Sequence, residues 1–202
     1  MKINSLSSFI SFKKSLVANC SVLHECQGPL PCSIYRLSER EDSDYFELLP
    51  NKKDWENARY LNYLIEDLNA LSDFPYFSIY TLENKDGECL GYTEIAENTN
   101  DSYEILLLET APKFISKNTK NPKFYKYIGE TLIAFLAKKS LKEKKSFLDV
   151  EPSVTAEQFY THNCFFKKPH NNDSPYFLKR SKYKKIISQN EEHTSSKIRF
   201  VG

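Results

Sequence analysis

Apolar positions along this chain alternate between two periods. Over residues 54–71, Trp55, Ala58, Leu61, Leu64, Ile65, Leu68 and Leu71 recur at spacings of three and four, which predicts a helix with one buried face. Asn51 or Asp54 is placed to cap it, and the Asp73–Pro75 triplet to end it. Residues 32–37, 76–82, 89–96 and 103–109 are rich in aromatic and β-branched residues or alternate in polarity, and read as strands. The first follows the punctuation Gly28-Pro29-Leu30-Pro31 and has the alternation of an edge strand. Asn84-Lys85-Asp86-Gly87 makes a hairpin turn and residues 98–102 a second one, so the later three strands form an antiparallel meander. The unbroken apolar run from Ile105 to Leu108 predicts burial on both faces, as in a central strand.

Beyond residue 110 the pattern changes. Residues 111–125 form a Lys/Asn/Pro-rich loop, after which Ile128, Leu132, Ile133, Leu136 and Ser140 mark the inner face of a second helix. Lysines at 138, 139, 142, 144 and 145 suit the negative end of its dipole. Residues 147–150 are a strand, and a strand, crossover helix and strand of this length favour a parallel pair, so the sheet is mixed. Thr155-Ala156-Glu157-Gln158 fits a capping box for a short helix, and residues 165–166 and 176–178 read as two last strands. The reading is an α/β (α+β) fold, flanked by helices: a mostly antiparallel central sheet with a parallel pair after the fourth strand.

The length of 202 residues and the 40% hydrophobic content allow one domain with its own core. Its boundaries are expected at 28–187, behind a flexible leader over 1–27 and ahead of a polar tail over 188–202. Net charge is +1, but residues 1–110 hold 9 Lys and Arg against 19 Asp and Glu, and residues 111–202 hold 19 against 8. Two lobes that attract each other explain this; so does a basic half that meets a polyphosphate ligand. Five cysteines and no signal peptide point to cytosolic thiols. Cys20, Cys26 and Cys32, with His24 between them, match no zinc module, so no metal is expected. No apolar run has the ~18 residues that span a bilayer, so no membrane partner is expected. A cytoplasmic location follows, with a secreted effector as the other reading of the leader.

The order of elements and two motifs carry a resemblance. Antiparallel strands, then strand, glycine loop, helix, strand and a helix with Phe-Tyr resemble the GCN5-related N-acetyltransferase (GNAT) family over residues 32–181. The family's loop has Gln or Arg, two residues, Gly, one residue, then Gly or Ala; here these positions are Lys126, Gly129 and Thr131. Its second signature, Phe-Tyr, three residues, Gly-Phe, is here Phe159-Tyr160, Thr161-His162-Asn163, Cys164-Phe165. Lys126, Thr131 and Cys164 depart from the family pattern, and the loop before Gly129 is longer.

The resemblance implies acetyl-CoA as co-substrate and a primary amine as acceptor. Residues 126–131 (Lys126, Tyr127, Ile128, Gly129, Glu130, Thr131) would hold the CoA pyrophosphate at a helix start, with Lys123 adding charge. Leu108, Glu109 and Thr110 would run beside the pantetheine and polarise the thioester carbonyl. An ammonium has no lone pair, so attack needs a base; Glu104 matches the family's strand glutamate, with Glu94 and Glu109 as rivals. Tyr160 would return a proton to the CoA thiolate. A small amine, a peptide, a protein lysine and aminoacyl-tRNA all suit such a donor site, and a homodimer is compatible with it. An inactive CoA-binding scaffold and a toxin-like acetyltransferase acting on aminoacyl-tRNA or protein are the alternatives.

Overall fold

A computed structural model of the chain describes residues 14–37, 45–55, 58, 60–70, 76–99, 101–114, 125–169, 171 and 174–201. The sheet begins earlier than the sequence suggests. Ser15–His24 (β1) and Gly28–Leu37 (β2) form a hairpin, so part of the expected leader is a strand and β2 is interior rather than an edge. Alternate residues of β1, Ala18, Cys20 and Val22, are buried, and that half-buried alternation is why the segment pairs. Cys20 and Cys32 face each other in register. Burial pushes both thiols up, Cys32 to about 12, so they remain protonated.

The predicted helix over 54–71 is shorter. A 3-10 turn at Lys52–Asp54 precedes α1, Leu61–Ala70, and the proposed stop at 73–75 lies outside the described residues. Asn51 does not cap it. Its amide instead donates to the Cys89 carbonyl at 2.8 Å and accepts from the Cys89 N–H at 3.0 Å, and Trp55 Nε1 donates to the same carbonyl. These bonds tie the entry to α1 onto the sheet.

Phe77–Asn84 (β3), Cys89–Thr99 (β4) and Ser102–Thr110 (β5) form the expected antiparallel meander. The Asn84 side chain closes the first turn by accepting from the N–H groups of Asp86 and Glu88. A two-residue strand, Tyr125–Lys126 (β6), pairs with β1, and Ile128–Lys142 is α2. Phe147–Val150 (β7) pairs parallel with β5, and Tyr176–Lys179 (β8) antiparallel with β7. The order across the sheet is β6-β1-β2-β3-β4-β5-β7-β8.

Four late expectations change. Thr155 forms no capping box: its hydroxyl lies 3.2 Å from that of Ser153, while Glu157 binds Lys168. The helix that follows is a single π turn, Phe159–Asn163. Residues 165–166 form no strand, because only Lys167 bridges to Phe177. The segment expected as a polar tail is largely regular, in helix Arg180–Thr194 (α3) and strand Arg199–Phe200 (β9), which pairs with β1. Tyr183 and Ile186 of α3 and Ile198 beyond it are buried, while Val201 is exposed, so the low average hydropathy of this region concealed a packed face.

Two layers of side chains follow from strand alternation. Tyr80 packs edge-on against Phe135 of α2, and a Cβ on Gly91 would meet Ile128 and Leu132 of α2, so Tyr80, Gly91, Thr93 and Ile95 face α2. The opposite face carries Tyr92 against Phe46 and Trp55. Among the described residues no helix is long and apolar enough to cross a membrane.

Candidate functional site

Two irregularities coincide at Leu106. The β4–β5 register steps from Glu94↔Leu107 to Ile95↔Ile105, which leaves Leu106 as a bulge. The β5–β7 ladder ends at Ile105↔Val150, although β5 runs on to Thr110. Beyond Leu106, strand β5 therefore parts from β7, and one edge of it opens towards the start of α2.

That helix start forms a cleft of about 460 Å3, lined by Thr110, Phe114, Tyr125, Lys126, Tyr127, Ile128, Gly129, Glu130, Phe159 and Asn163. The first-turn N–H groups of a helix have no intrahelical acceptors, and here Ile128, Gly129 and Glu130 supply them to the cleft. Tyr127 caps the helix in the left-handed region at φ 65, an unusual conformation for a bulky residue. Two contacts hold it: its carbonyl accepts from the Thr131 N–H at 2.8 Å, and its ring stacks on His193 with centroids 4.3 Å apart. The hairpin strand β1 positions the other wall, since Leu23 and His24 pair with Lys126 and Tyr125. Tyr125 packs edge-on against both His24 and Phe114.

Glu130 is the feature the motif did not announce. Its side chain is buried in the first turn of α2, where a negative charge suits the helix dipole. Its Oε2 lies 3.0 Å from His193 Nδ1 and accepts from Gln189 Nε2, and its Oε1 accepts from Asn163 Nδ2. Two of these partners come from α3. The last turns of α3 thus brace the helix start.

The sequence-predicted residues separate accordingly. Thr110, Lys126, Tyr127, Ile128, Gly129 and Glu130 line the cleft. Thr131 does not, because its hydroxyl is buried behind the helix and accepts from Asn190 Nδ2 at 2.9 Å. Leu108 lies on the α2 face opposite Thr93, and Glu109 on the other face, accepting from the Tyr92 hydroxyl at 2.7 Å. Lys126 is 44% exposed and pairs with Glu25 at 3.1 Å. Lys123 lies outside the described residues.

Glu104 precedes the bulge by two residues, on the face away from α2; Asn98 donates to its carboxylate. Glu94 is buried on that face and Glu109 shares it. From Glu104 to Thr110 is ~20 Å of strand at ~3.3 Å per residue. Tyr160 is buried and lies outside the cleft lining, its ring edge-on to Phe159 and Phe166. Burial pushes its phenol well above the usual range. Phe114, Tyr125, Phe159 and Asn163 line the cleft and were not singled out as binding residues; Phe159 alone carried a signal, as the first residue of the Phe-Tyr motif.

This arrangement suits a polyanion with a long narrow extension. Unpaired N–H groups at a helix start and the Lys126 ammonium attract phosphate, and the parted edge of β5 offers main-chain groups to an extended chain.

No protein-family model matches the chain, and no curated protein matches it in sequence. Solved structures match its fold. A protein from Exiguobacterium sp. 255-15 assigned to the acetyltransferases superposes with a TM-score of 0.54 at 12% identity, over 76% of this chain and 97% of its own. Spermidine N-acetyltransferase from Vibrio cholerae, in complex with CoA and spermine, gives 0.51 at 17% identity, over 75% and 97%. A protein from Desulfovibrio desulfuricans assigned to the GNAT family gives 0.51 at 12% identity, over 74% and 99%.

Proposed function

We propose that this protein, whose chain has the fold of the GNAT acetyltransferases, moves an acetyl group from acetyl-CoA to a primary amine by direct attack. The observation that supports this reading is the coincidence at Leu106: the bulge and the end of the β5–β7 ladder open one strand edge that leads to the unpaired N–H groups at the start of α2. In the proposed complex the CoA diphosphate meets Ile128, Gly129 and Glu130 N–H groups and Lys126. The pantetheine runs along residues 106–110 of β5, whose main chain polarises the thioester carbonyl. A carboxylate on the face away from α2 takes the proton of the acceptor ammonium, and Glu104, Glu94 and Glu109 all lie on that face. Tyr160 is assigned the return of a proton to the thiolate.

One observation favours a second reading, a CoA-binding scaffold with little turnover. Glu130 lines the cleft with its carboxylate buried behind the helix start, and the Lys126 charge is shared with Glu25, and both weaken the attraction for phosphates. Two measurements separate these readings. Acetyl-CoA is expected to raise the melting temperature by mass action, and intact-mass analysis of candidate amines, peptides, proteins and aminoacyl-tRNA incubated with acetyl-CoA is expected to show a single acetyl addition. A shift without any acetylated product supports the scaffold; no shift at millimolar acetyl-CoA removes the donor site.

A further inference from the structure

The sheet face turned away from α2 holds a second cavity, of about 380 Å3, beside the paired end of β5 and β7. Its floor is made of neighbouring strand positions: Ser102, Phe147 and Lys179 stand in one row across β5, β7 and β8, and Asp149 and Phe177 stand in the next. Asp149 is one residue short of Val150, where β7 stops pairing with β5. It therefore sits between this cavity and the place where the strands part. Glu104 is its partner in register on β5, but its carboxylate is held by Asn98 and it does not line the cavity.

Resting on the acetyltransferase reading, we propose that this cavity receives the acceptor and that Asp149, rather than Glu104, is the base that takes the proton of its ammonium. The lining defines the acceptor class. Phe147, Phe177 and Pro175 give an apolar wall, Asp149 and Asp101 attract a single ammonium, and Lys179 on the same floor opposes further positive charge. The fitting acceptor is a primary monoamine on an apolar or aromatic body.

The step balances as follows. The ammonium gives one proton to the Asp149 carboxylate, and the freed lone pair attacks the thioester carbon, so that a C–N bond forms as the carbonyl becomes an oxyanion. Collapse breaks the C–S bond; the thiolate takes a proton from the Tyr160 hydroxyl, and the second proton that the nitrogen sheds restores the phenol. The products are the amide, CoA thiol and one proton released from Asp149.

Burial lifts Asp149 to about 6, with the charge of Glu104 adding to the rise and a hydrogen bond from Ser102 opposing it. A carboxyl in that range is ionised at neutral pH and is a stronger base than an exposed aspartate. The other titratable groups near it are Asp101 and Lys179, which line the same cavity, and Tyr183 on α3, whose phenol the Asp149 charge reaches.

The test uses 4-phenylbutylamine as the probe, in two arms. In the first, the amine is titrated without acetyl-CoA into the parent protein and into Asp149→Asn, whose melting temperature verifies folding. Binding is expected to weaken at least tenfold in Asp149→Asn and, in the parent, to weaken as pH falls through about 6. In the second, kcat/KM for acetylation is followed against pH. The parent is expected to lose activity below pH about 6. Asp149→Asn should be about 10²-fold slower with no such limb. Glu104→Gln should be less impaired, with the limb moved to lower pH because the charge that lifts Asp149 is gone. Equal amine affinity in parent and Asp149→Asn overturns the proposal. So does an acidic limb that persists in Asp149→Asn and vanishes in Glu104→Gln. Loss of acetyl-CoA binding alone would sink the acetyltransferase reading and leave the first arm to judge the cavity.

Discussion

A Cβ placed on Gly129 would lie 3.0 Å from Cζ of Phe159. The glycine of the first motif and the phenylalanine of the second therefore meet, and the absent side chain at 129 makes room for the ring. Gly129 needs no positive φ; its role here is close approach. Phe159 belongs to a π turn and lines the same cleft, so the contact joins the helix start to the segment after β7.

Gly129→Ala tests this contact. The added methyl forces the ring to shift, which is expected to lower stability by about 1–3 kcal/mol and to reduce the thermal shift caused by acetyl-CoA. The double variant Gly129→Ala, Phe159→Leu should recover most of the stability in a denaturant melt. If Gly129→Ala melts like the parent, the ring has other room and the contact carries no constraint.

Glu130→Gln separates stability from donor affinity. The carboxylate suits the dipole of α2 and lies 3.0 Å from His193 Nδ1, so its loss should lower stability by roughly 0.3–2 kcal/mol. The same change removes a buried negative charge beside the cleft, and acetyl-CoA should bind several-fold more tightly by calorimetry, with the gain shrinking as salt is raised. Weaker binding in Glu130→Gln would mean that the brace to α3 matters more to the donor than the charge does.

Tyr160→Phe keeps the ring packed between Phe159 and Phe166 and deletes only the hydroxyl. Under the proposed mechanism kcat falls about 10²-fold with acetyl-CoA binding unchanged. Burial works against that role, because a phenol lifted above its usual range gives up its proton less readily. Single-turnover measurement of thiol release decides: unchanged kinetics leave Tyr160 with packing alone.

The raised pKa of Asp149 has a consequence for stability. A carboxyl whose folded pKa of about 6 exceeds its unfolded value binds more protons in the folded state between those two values, so stability falls as pH rises through that window. Asp149→Asn, which stays neutral, should melt higher than the parent at pH 8 and alike below pH 4, where both are neutral. Matching melting temperatures at pH 8 would show that the carboxylate is well solvated.

The central strands and α2 were legible in the sequence because their local signals agree with the elements they form. The Ile105 to Leu108 run, the Asn84–Gly87 turn signal and the spacing of Ile128, Leu132, Ile133, Leu136 and Ser140 specify a strand, a tight turn and a helix without reference to distant residues. The burial expected for the run on both faces does not hold: Ile105 is buried, Leu106 is exposed at the bulge and Leu107 and Leu108 are half-buried, while α2 is buried well beyond the predicted face. The order of strand, helix and strand determined the parallel pair for a similar reason, since a crossover of that length returns the chain in the same direction.

How the edges of the fold serve the cleft is set by contacts between segments far apart in the chain. Residues 15–24 alternate weakly and residues 188–194 are polar on average, so neither segment shows what it contacts until β2, β6 and α2 are in place beside them. The strand bulge at Leu106 is a register difference between two strands and leaves no mark in either one alone. Asp149 reads as one polar residue in a four-residue strand; the row it shares with Glu104 and Phe177 exists only across three strands. Long-range pairing and burial set these relationships, because the charge on a carboxyl answers to neighbours tens of residues away in the chain.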